Sequence, residues 1–228
     1  MQYLIDSLGT ALVLIFSLDS DVLSTVQISV VTSCCSLVIA ALLGIPLGTL
    51  LGSYRFFGRR VCITLLNTMM ALPTVVVGLL IFGLFSRQGP FGTFGLLFTP
   101  MLIIIGQAVL ATPIVANYTL AAVKGADKRI LPTALTLGAS PLQARLQLLR
   151  QVRFGVMAAV IAAFGRVIAE VGVAMMLGGN IRGYTRTMTT AVALETSKGE
   201  FAFAMALGLI LMLLALLVNL FLNLLQQK

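Results

Sequence analysis

The chain contains no histidine, and its 228 residues include only three cysteines. Cys34 and Cys35 are neighbours inside an apolar run, and Cys62 begins another. This spacing fits neither a zinc site nor a disulfide framework, so the cysteines are expected to act as small buried hydrophobes. A GxxxxGK[ST] loop for cradling phosphates is also missing, which excludes nucleotide binding and hydrolysis by that route. No nucleophile, base and orienting group come together along the sequence, which argues against an enzyme acting within the membrane. Charge is scarce as well: 10% of residues are charged against 59% hydrophobic, with a mean hydropathy of +1.08. A soluble domain of this length is far less apolar, and lipid is the expected solvent.

What is abundant is long apolar sequence. Windows at 23–52, 61–86, 97–123, 156–178 and 201–225 are each long enough to cross about 30 Å of hydrocarbon as a helix. The expected fold is an all-α integral membrane protein with five transmembrane helices, one transmembrane domain over 1–228. Residues 1–19 hold a shorter apolar run, LGTALVLIF, with Asp6, Asp19 and Asp21 around it and no basic start of a signal peptide. An interfacial helix is expected there, with a short extra span left open.

The net charge of +8 falls mainly in two loops beside apolar spans. That pattern sets membrane orientation and needs no nucleic-acid partner. The loop at 53–60 carries Arg55, Arg59 and Arg60, and the loop at 124–155 carries Lys124, Lys128, Arg129, Arg145, Arg150 and Arg153. Both are assigned to the cytoplasm. The loop at 87–96 has only Arg87, and the loop at 179–200 offsets Arg182, Arg186 and Lys198 with Glu195 and Glu200, so both are assigned to the outside. Five spans then put the N-terminus outside and Lys228 inside. Within the spans, Gly44, Gly48 and Gly52 recur every four residues and offer a close-approach face to another helix. Pro46, Pro73 and Pro113 each favour a bend.

Between the third and fourth spans lies LPTALTLGASPLQARLQLLRQVR, residues 131–153. Gly138 suits the left-handed turn that ends a short helix over about 132–137. Ser140 is a good N-cap, Pro141 suits the first helical position, and Gln143 completes an S-x-x-Q capping box. The second helix is expected to run to Val152, with Leu142, Leu146, Leu149 and Val152 as an apolar stripe and Gln143, Gln147 and Arg150 as a polar one. Such a helix either rests on anionic lipid or enters a groove on a partner protein.

This segment resembles the cytoplasmic loop of binding-protein-dependent ABC importer permeases, whose pattern is an E-A-A triplet, a Gly three residues on, and an I-x-L-P about ten residues later. Ala134, Leu137, Gly138, Ala139 and Ser140 match. Pro132 and Thr133 stand at the Glu and first Ala positions, and Gln151 falls near the closing Pro, so the outer parts depart from the pattern. A second stretch, GRVIAEVGVAMMLGGNIRGYTRTMTTAVALETSKGEF at 165–201, is similar to permeases of molybdate, sulfate and especially tungstate importers. So are SRQGPFGTFGLLFTPMLIIIGQ at 86–107 and ALPTVVVGLL at 71–80. The resemblance covers nearly the whole chain after residue 20. It implies a type I importer permease in a prokaryotic inner membrane, paired with a second copy of itself. It also implies two cytoplasmic ATPase subunits that bind ATP and Mg, and an extracytoplasmic oxyanion-binding protein. No cofactor is then expected in this chain. On this reading the hairpin couples to the ATPase through Ala134, Gly138, Ala139, Ser140, Pro141, Leu142, Gln143, Arg145 and Leu146.

Two further groups are candidates for function. Arg166 and Glu170 are one helical turn apart in the fourth span, with Arg166 roughly 15 Å deep by helical rise. An arginine there costs about 2.5–3.5 kcal/mol on insertion scales, so it should face protein or water. Either it pins helix packing as an ion pair, with a partner on another helix as one option, or it stabilises a passing oxyanion. In the outer loop, Asn180, Arg182, Tyr184, Thr185, Arg186 and Thr187 offer donors to an oxyanion or to an acidic binding-protein edge, and Thr187 or Thr189 can cap a helix running to about Ser197. A plain solvated loop is the other option. An ion-coupled secondary transporter using Arg166 and Glu170 remains a competing class.

The charge pattern makes a prediction. Cysteines placed at 57 and 147 should be protected from an impermeant outside reagent, while one at 92 should react. Outside labelling at 147 would overturn the assigned topology.

Overall fold

A computed structural model describes residues 2–17, 19–54 and 56–226 of the chain. The expected loop cation Arg55 and the terminal Lys228 lie outside the described residues. All regular structure among the described residues is helical. The first elements are α1 (Gln2–Phe16), α2 (Ser20–Ser53), α3 (Arg59–Ala71), α4 (Thr74–Phe85) and α5 (Pro100–Gly125). A single 3-10 turn, Gly92–Phe94, lies between α4 and α5. Then come α6 (Ile130–Thr136), α7 (Pro141–Gln151), α8 (Arg153–Ile168), α9 (Gly172–Gly178), α10 (Met188–Lys198) and α11 (Phe201–Gln226).

Among the described residues three helices are long and apolar enough to cross a membrane: α2, α5 and Phe201–Val218 of α11; two bent pairs raise the number to as many as five. The first, third and fifth expected spans are single helices, and Pro46 and Pro113 are carried inside them without a break. The second is not one helix. Its halves α3 and α4 meet at 99° across Leu72 and Pro73. Pro73 drives its predecessor out of helical geometry, and Leu72 is extended at φ −63°, ψ 136°. Pro73 then opens α4 by accepting from the Val76 and Val77 amides at 3.0 and 3.2 Å.

The expected fourth span, 156–178, also divides. Helix α8 stops at Ile168 and α9 starts at Gly172. The cause is local competition for backbone donors: the Glu170 carboxylate accepts from the Val173 amide at 3.2 Å instead of leaving it to the preceding turn. Helix α8 also begins earlier than expected, turning 73° from α7. The loop at 179–200 is no plain solvated loop, because it contains α10, whose Met188 and Ala191 are fully buried. Helix α1 packs along α11.

The centre of the fold is the seam between α2 and α5. A Cβ on Gly44 would come within 2.8 Å of Val115, one on Gly52 within 2.5 Å of Val123, and one on Gly48 would run into the Ala116 carbonyl. Small residues thus set the interhelical distance, as expected where lipid supplies no hydrophobic drive between helices. Around this seam Ala40, Ala111, Val115, Ala163 and Val167 join α2, α5 and α8 in one cluster. A second cluster joins Val77 and Ile81 of α4 to Leu102 and Leu110 of α5 and to Val173 and Leu177 of α9. The α2 face toward α10 is polar instead: Thr25, Ser29, Thr32 and Ser36 are all buried. Ser36 donates to Gln107 of α5 at 2.9 Å, and Ser29 accepts from the Met188 amide at 2.7 Å.

Gly92 proves a poor place for a labelling probe, since a Cβ there would run into the Ser86 carbonyl. Exposed Thr93 serves instead. The packing predicts that Gly48→Val, which forces α2 from α5, will destabilise the fold by about 1–3 kcal/mol or more. Gly83→Val, on a residue with open space at its Cβ, should be tolerated. Equal thermal stability of the two variants in detergent would show that the seam does not need its glycines.

Candidate functional site

The hairpin forms with the caps its sequence calls for. Gly138 has φ 87°, the left-handed conformation that closes α6. Both halves of the capping box are made: the Gln143 amide donates to Ser140 Oγ at 3.3 Å and the Ser140 amide to Gln143 Oε1 at 2.8 Å, with Pro141 in the first turn. The apolar stripe divides differently from expectation. Ala144 and Leu148 are the buried face of α7, Leu149 and Val152 are half-buried, and Leu142 and Leu146 are exposed. A turn of 3.6 residues places 144 and 148 inward together, so 142 and 146 are left looking out. Leu137 is 82% exposed at the tip. Ala134, Leu137, Ala139, Gln143, Leu146 and Arg150 border an open groove of about 650 Å³ between α6 and α7. Arg145 points away from that groove. Its guanidinium donates to the Tyr54 hydroxyl and lies 4.8 Å from the Tyr54 ring centroid.

The second candidate site lies at the break between α8 and α9. Arg166 Nη1 donates to Glu170 Oε2 at 2.8 Å, so the partner of the arginine is on its own segment and not on another helix. The two ends of this pair differ. The Glu170 side chain is 2% exposed and that of Arg166 46%. Glu170 is fixed from three sides, by Arg166, by the Val173 amide, and through its own carbonyl, which accepts from Thr189 Oγ1 at 2.7 Å. Arg166 shares the open face of α8 with Ala162, Gly165 and Ala169. Counted from the start of α8 it lies about 20 Å along the helix, because α8 begins three residues before the expected span. A buried carboxylate therefore holds a half-exposed guanidinium in place, with donors left facing the open side.

The loop at 179–200 is built by internal bonds. Thr185 donates to the Gly178 carbonyl at 2.5 Å and accepts from the Ile181 amide at 3.0 Å. Asn180, at φ 52°, donates to the Thr190 carbonyl at 3.3 Å. Thr187 is the cap of α10, as its position suggested, with Thr190 completing the box. Both arginines meet carboxylates: Arg182 binds Asp21, with Nε at 2.9 Å, and Arg186 binds Glu195 at 3.2 Å. Lys198 reaches the same Glu195 at 3.1 Å. Thr185 and Thr187 are buried, whereas Tyr184 is exposed. Of the six residues expected to meet a ligand, Asn180, Thr185, Arg186 and Thr187 bond to groups of the 178–195 segment, Arg182 bonds to α2, and Tyr184 is exposed.

Several contacts were missed in the sequence. The Thr25, Ser29, Thr32, Ser36 stripe was legible, because its spacing of four, three and four puts it on one helical face. The pairing of Asp21 with Arg182 across 161 residues and of Arg145 with Tyr54 across 91 carried no local signal. Nor did the bond from Asn117 of α5 to Asn67 of α3 at 2.6 Å.

Comparisons with known proteins agree with this architecture. The chain is 40% identical over 219 residues to the tungstate uptake system permease protein TupB of Campylobacter jejuni, covering 96% of this chain and 92% of that protein. It is 36% identical to the protein of the same name from Peptoclostridium acidaminophilum, over the full length of both. Similarity to the sulfate transport system permease protein CysT of Salmonella typhimurium is lower, 27% over 81% of this chain and 69% of that protein. Residues 44–228 match the family model of the binding-protein-dependent transport system inner membrane component. From the Gly44 face of α2 through the hairpin and the α8–α9 break to the end of α11, the chain belongs to that family of membrane transport components.

Proposed function

We propose that this chain is the permease subunit of an ATP-driven importer for an oxyanion, with tungstate ahead of molybdate and sulfate. The hairpin carries the proposal. It is rigidly capped, its inner face is packed, and its outer face leaves Leu137, Leu142 and Leu146 open beside a groove. Apolar side chains held out in this way on a short helix suit a groove on another protein. The tungstate preference rests on the two relatives named for tungstate uptake, which match at 40% and 36% where the sulfate relative matches at 27%.

In this reading two copies of the chain face each other across the open side of α8, and each hairpin enters one ATPase subunit that binds ATP and Mg. A binding protein delivers the anion to the opposite face. The five expected spans cross with the hairpin and Lys228 in the cytoplasm and the N-terminus outside. Closure of the ATPase pair moves the hairpins, and the helices change from an inward-open to an outward-open arrangement. Arg166 is the residue assigned to the passing oxyanion. Glu170 limits its strength: part of the guanidinium charge is already matched, so an anion is stabilised briefly and not trapped. Because Arg182 and Arg186 are matched by Asp21 and Glu195, the outer loop gives a neutralised docking face and Tyr184 its exposed contact.

Two measurements test this. Gly138→Val imposes a left-handed conformation on a β-branched residue; the chain should insert normally, yet bind the ATPase weakly or leave its hydrolysis unresponsive to tungstate-loaded binding protein. Unchanged coupling, with loss only of affinity for anionic vesicles, would return the hairpin to a lipid-resting role. Uptake in ATP-free vesicles under an ion gradient would make the chain a secondary transporter. Arg166→Leu should insert normally while lowering tungstate uptake or weakening the pairing of the two copies. If both uptake and pairing stay at the level of the unchanged protein, Arg166 has neither assigned role.

A further inference from the structure

Helix α2 is anchored at each end by a residue distant in sequence. Its 34 residues span about 51 Å, well beyond a hydrocarbon core of about 30 Å. At its first turn Asp21 takes two bonds from the Arg182 guanidinium, the one from Nε at 2.9 Å. Two turns further on, Ser29 accepts from the Met188 amide at the start of α10. At the other end, Tyr54 accepts from Arg145 of α7. Neither anchoring residue belongs to a loose loop. Asp19 caps α2 by accepting from the Asp21 and Val22 amides at 2.9 and 3.1 Å, and the Tyr54 amide donates to the Leu50 carbonyl at 3.1 Å. Both ends therefore move with the helix body. Toward the Tyr54 end Gly44, Gly48 and Gly52 pack α2 closely on α5, so a push from Tyr54 meets no slack in that seam.

We propose that Tyr54 and Asp21 are positioning residues through which α2 carries displacement of the α7 hairpin to the 180–187 loop and α10 on the opposite face. This rests on the reading that the hairpin docks an ATPase. The geometry favours transmission over simple stapling because the bonded partners are the two elements that the transport cycle must link. Arg145 lies on the docking helix but faces away from the groove, and Arg182 lies in the loop that the binding protein would meet. Coupling between two sites needs an element whose position both sites bias, and a continuous helix clasped at both ends is such an element.

The test uses the permease reconstituted with its ATPase, with binding protein loaded with tungstate. Tyr54→Phe removes the accepting hydroxyl and keeps the ring; Asp21→Asn removes the charge and keeps the shape. In each, ATPase co-purification, melting temperature and unstimulated hydrolysis should stay near those of the unchanged protein. Stimulation by the loaded binding protein should fall about fivefold or more. The double variant should lose little beyond the worse single, because two breaks in one series linkage do not add. Asp21→Arg should lose stimulation, and adding Arg182→Asp should restore much of it. Full stimulation in both single variants overturns the proposal, as do multiplicative losses in the double. A fall in stimulation that merely tracks lost co-purification or lost thermal stability makes the two clasps staples and also overturns it. If the unchanged protein fails to co-purify with the ATPase, the docking reading falls first and takes this inference with it.

Discussion

The contact on which the rest of the structure depends is the close approach of the glycine face of α2 to α5. In lipid, two apolar helices gain little by burying hydrophobic surface against each other, so what remains is close packing and interhelical hydrogen bonds. Gly44, Gly48 and Gly52 supply the first, and Ser36 with Gln107 the second. Once this pair is fixed, α8 packs into it through Ala163 and Val167, α3 through Leu66, and α10 through the polar stripe of α2. Helices α4 and α9 then pack together on the far side of α5. The two broken segments pack onto this continuous pair, α3 and α8 directly against it.

Local chemistry was legible in the sequence and long-range chemistry was not. The hairpin was read nearly residue by residue, because a left-handed glycine, an N-cap serine, a first-turn proline and a capping glutamine act within four residues of one another. The α10 cap at Thr187 was legible for the same reason. The α8–α9 break was not: a hydropathy window runs smoothly through VIAEVGVAMM, and only the bond of Glu170 to the Val173 amide shows that the carboxylate ends one helix and starts the next. The second span was foreseen as bent at Pro73 but not as broken through 99°. Whether a proline kinks or cuts depends on whether its neighbour can stay helical, and Leu72 does not.

Charge was the least legible quantity. A count of Arg182, Arg186 and Lys198 against Glu195 and Glu200 gave the loop's balance, yet the carboxylate that neutralises Arg182 comes from Asp21, in the first turn of α2. The acidic residues near the N-terminus were read as marks of an interfacial segment, while one of them closes the fold. The same applies to Arg145, counted among the docking residues and found against Tyr54. A charge in lipid or at its edge is costly enough to favour a partner. Arg166 is the informative exception among the ion pairs of the described residues, because its carboxylate is the most deeply buried, at 2% exposed, while the guanidinium is half-exposed.

That exception follows from the break itself. A helix that stops inside an apolar layer leaves amides and carbonyls without partners, at several kcal/mol for each group left bare. Glu170 meets the Val173 amide with its side-chain carboxylate and Thr189 with its backbone carbonyl, and the residue is buried. A buried carboxylate in turn requires a cation within reach, and Arg166 is that cation. The guanidinium has more donors than the carboxylate can use, so satisfying the break leaves N–H groups turned toward the open face of α8. A structural need at the backbone thus generates, one bond later, a positive group on the open face of α8.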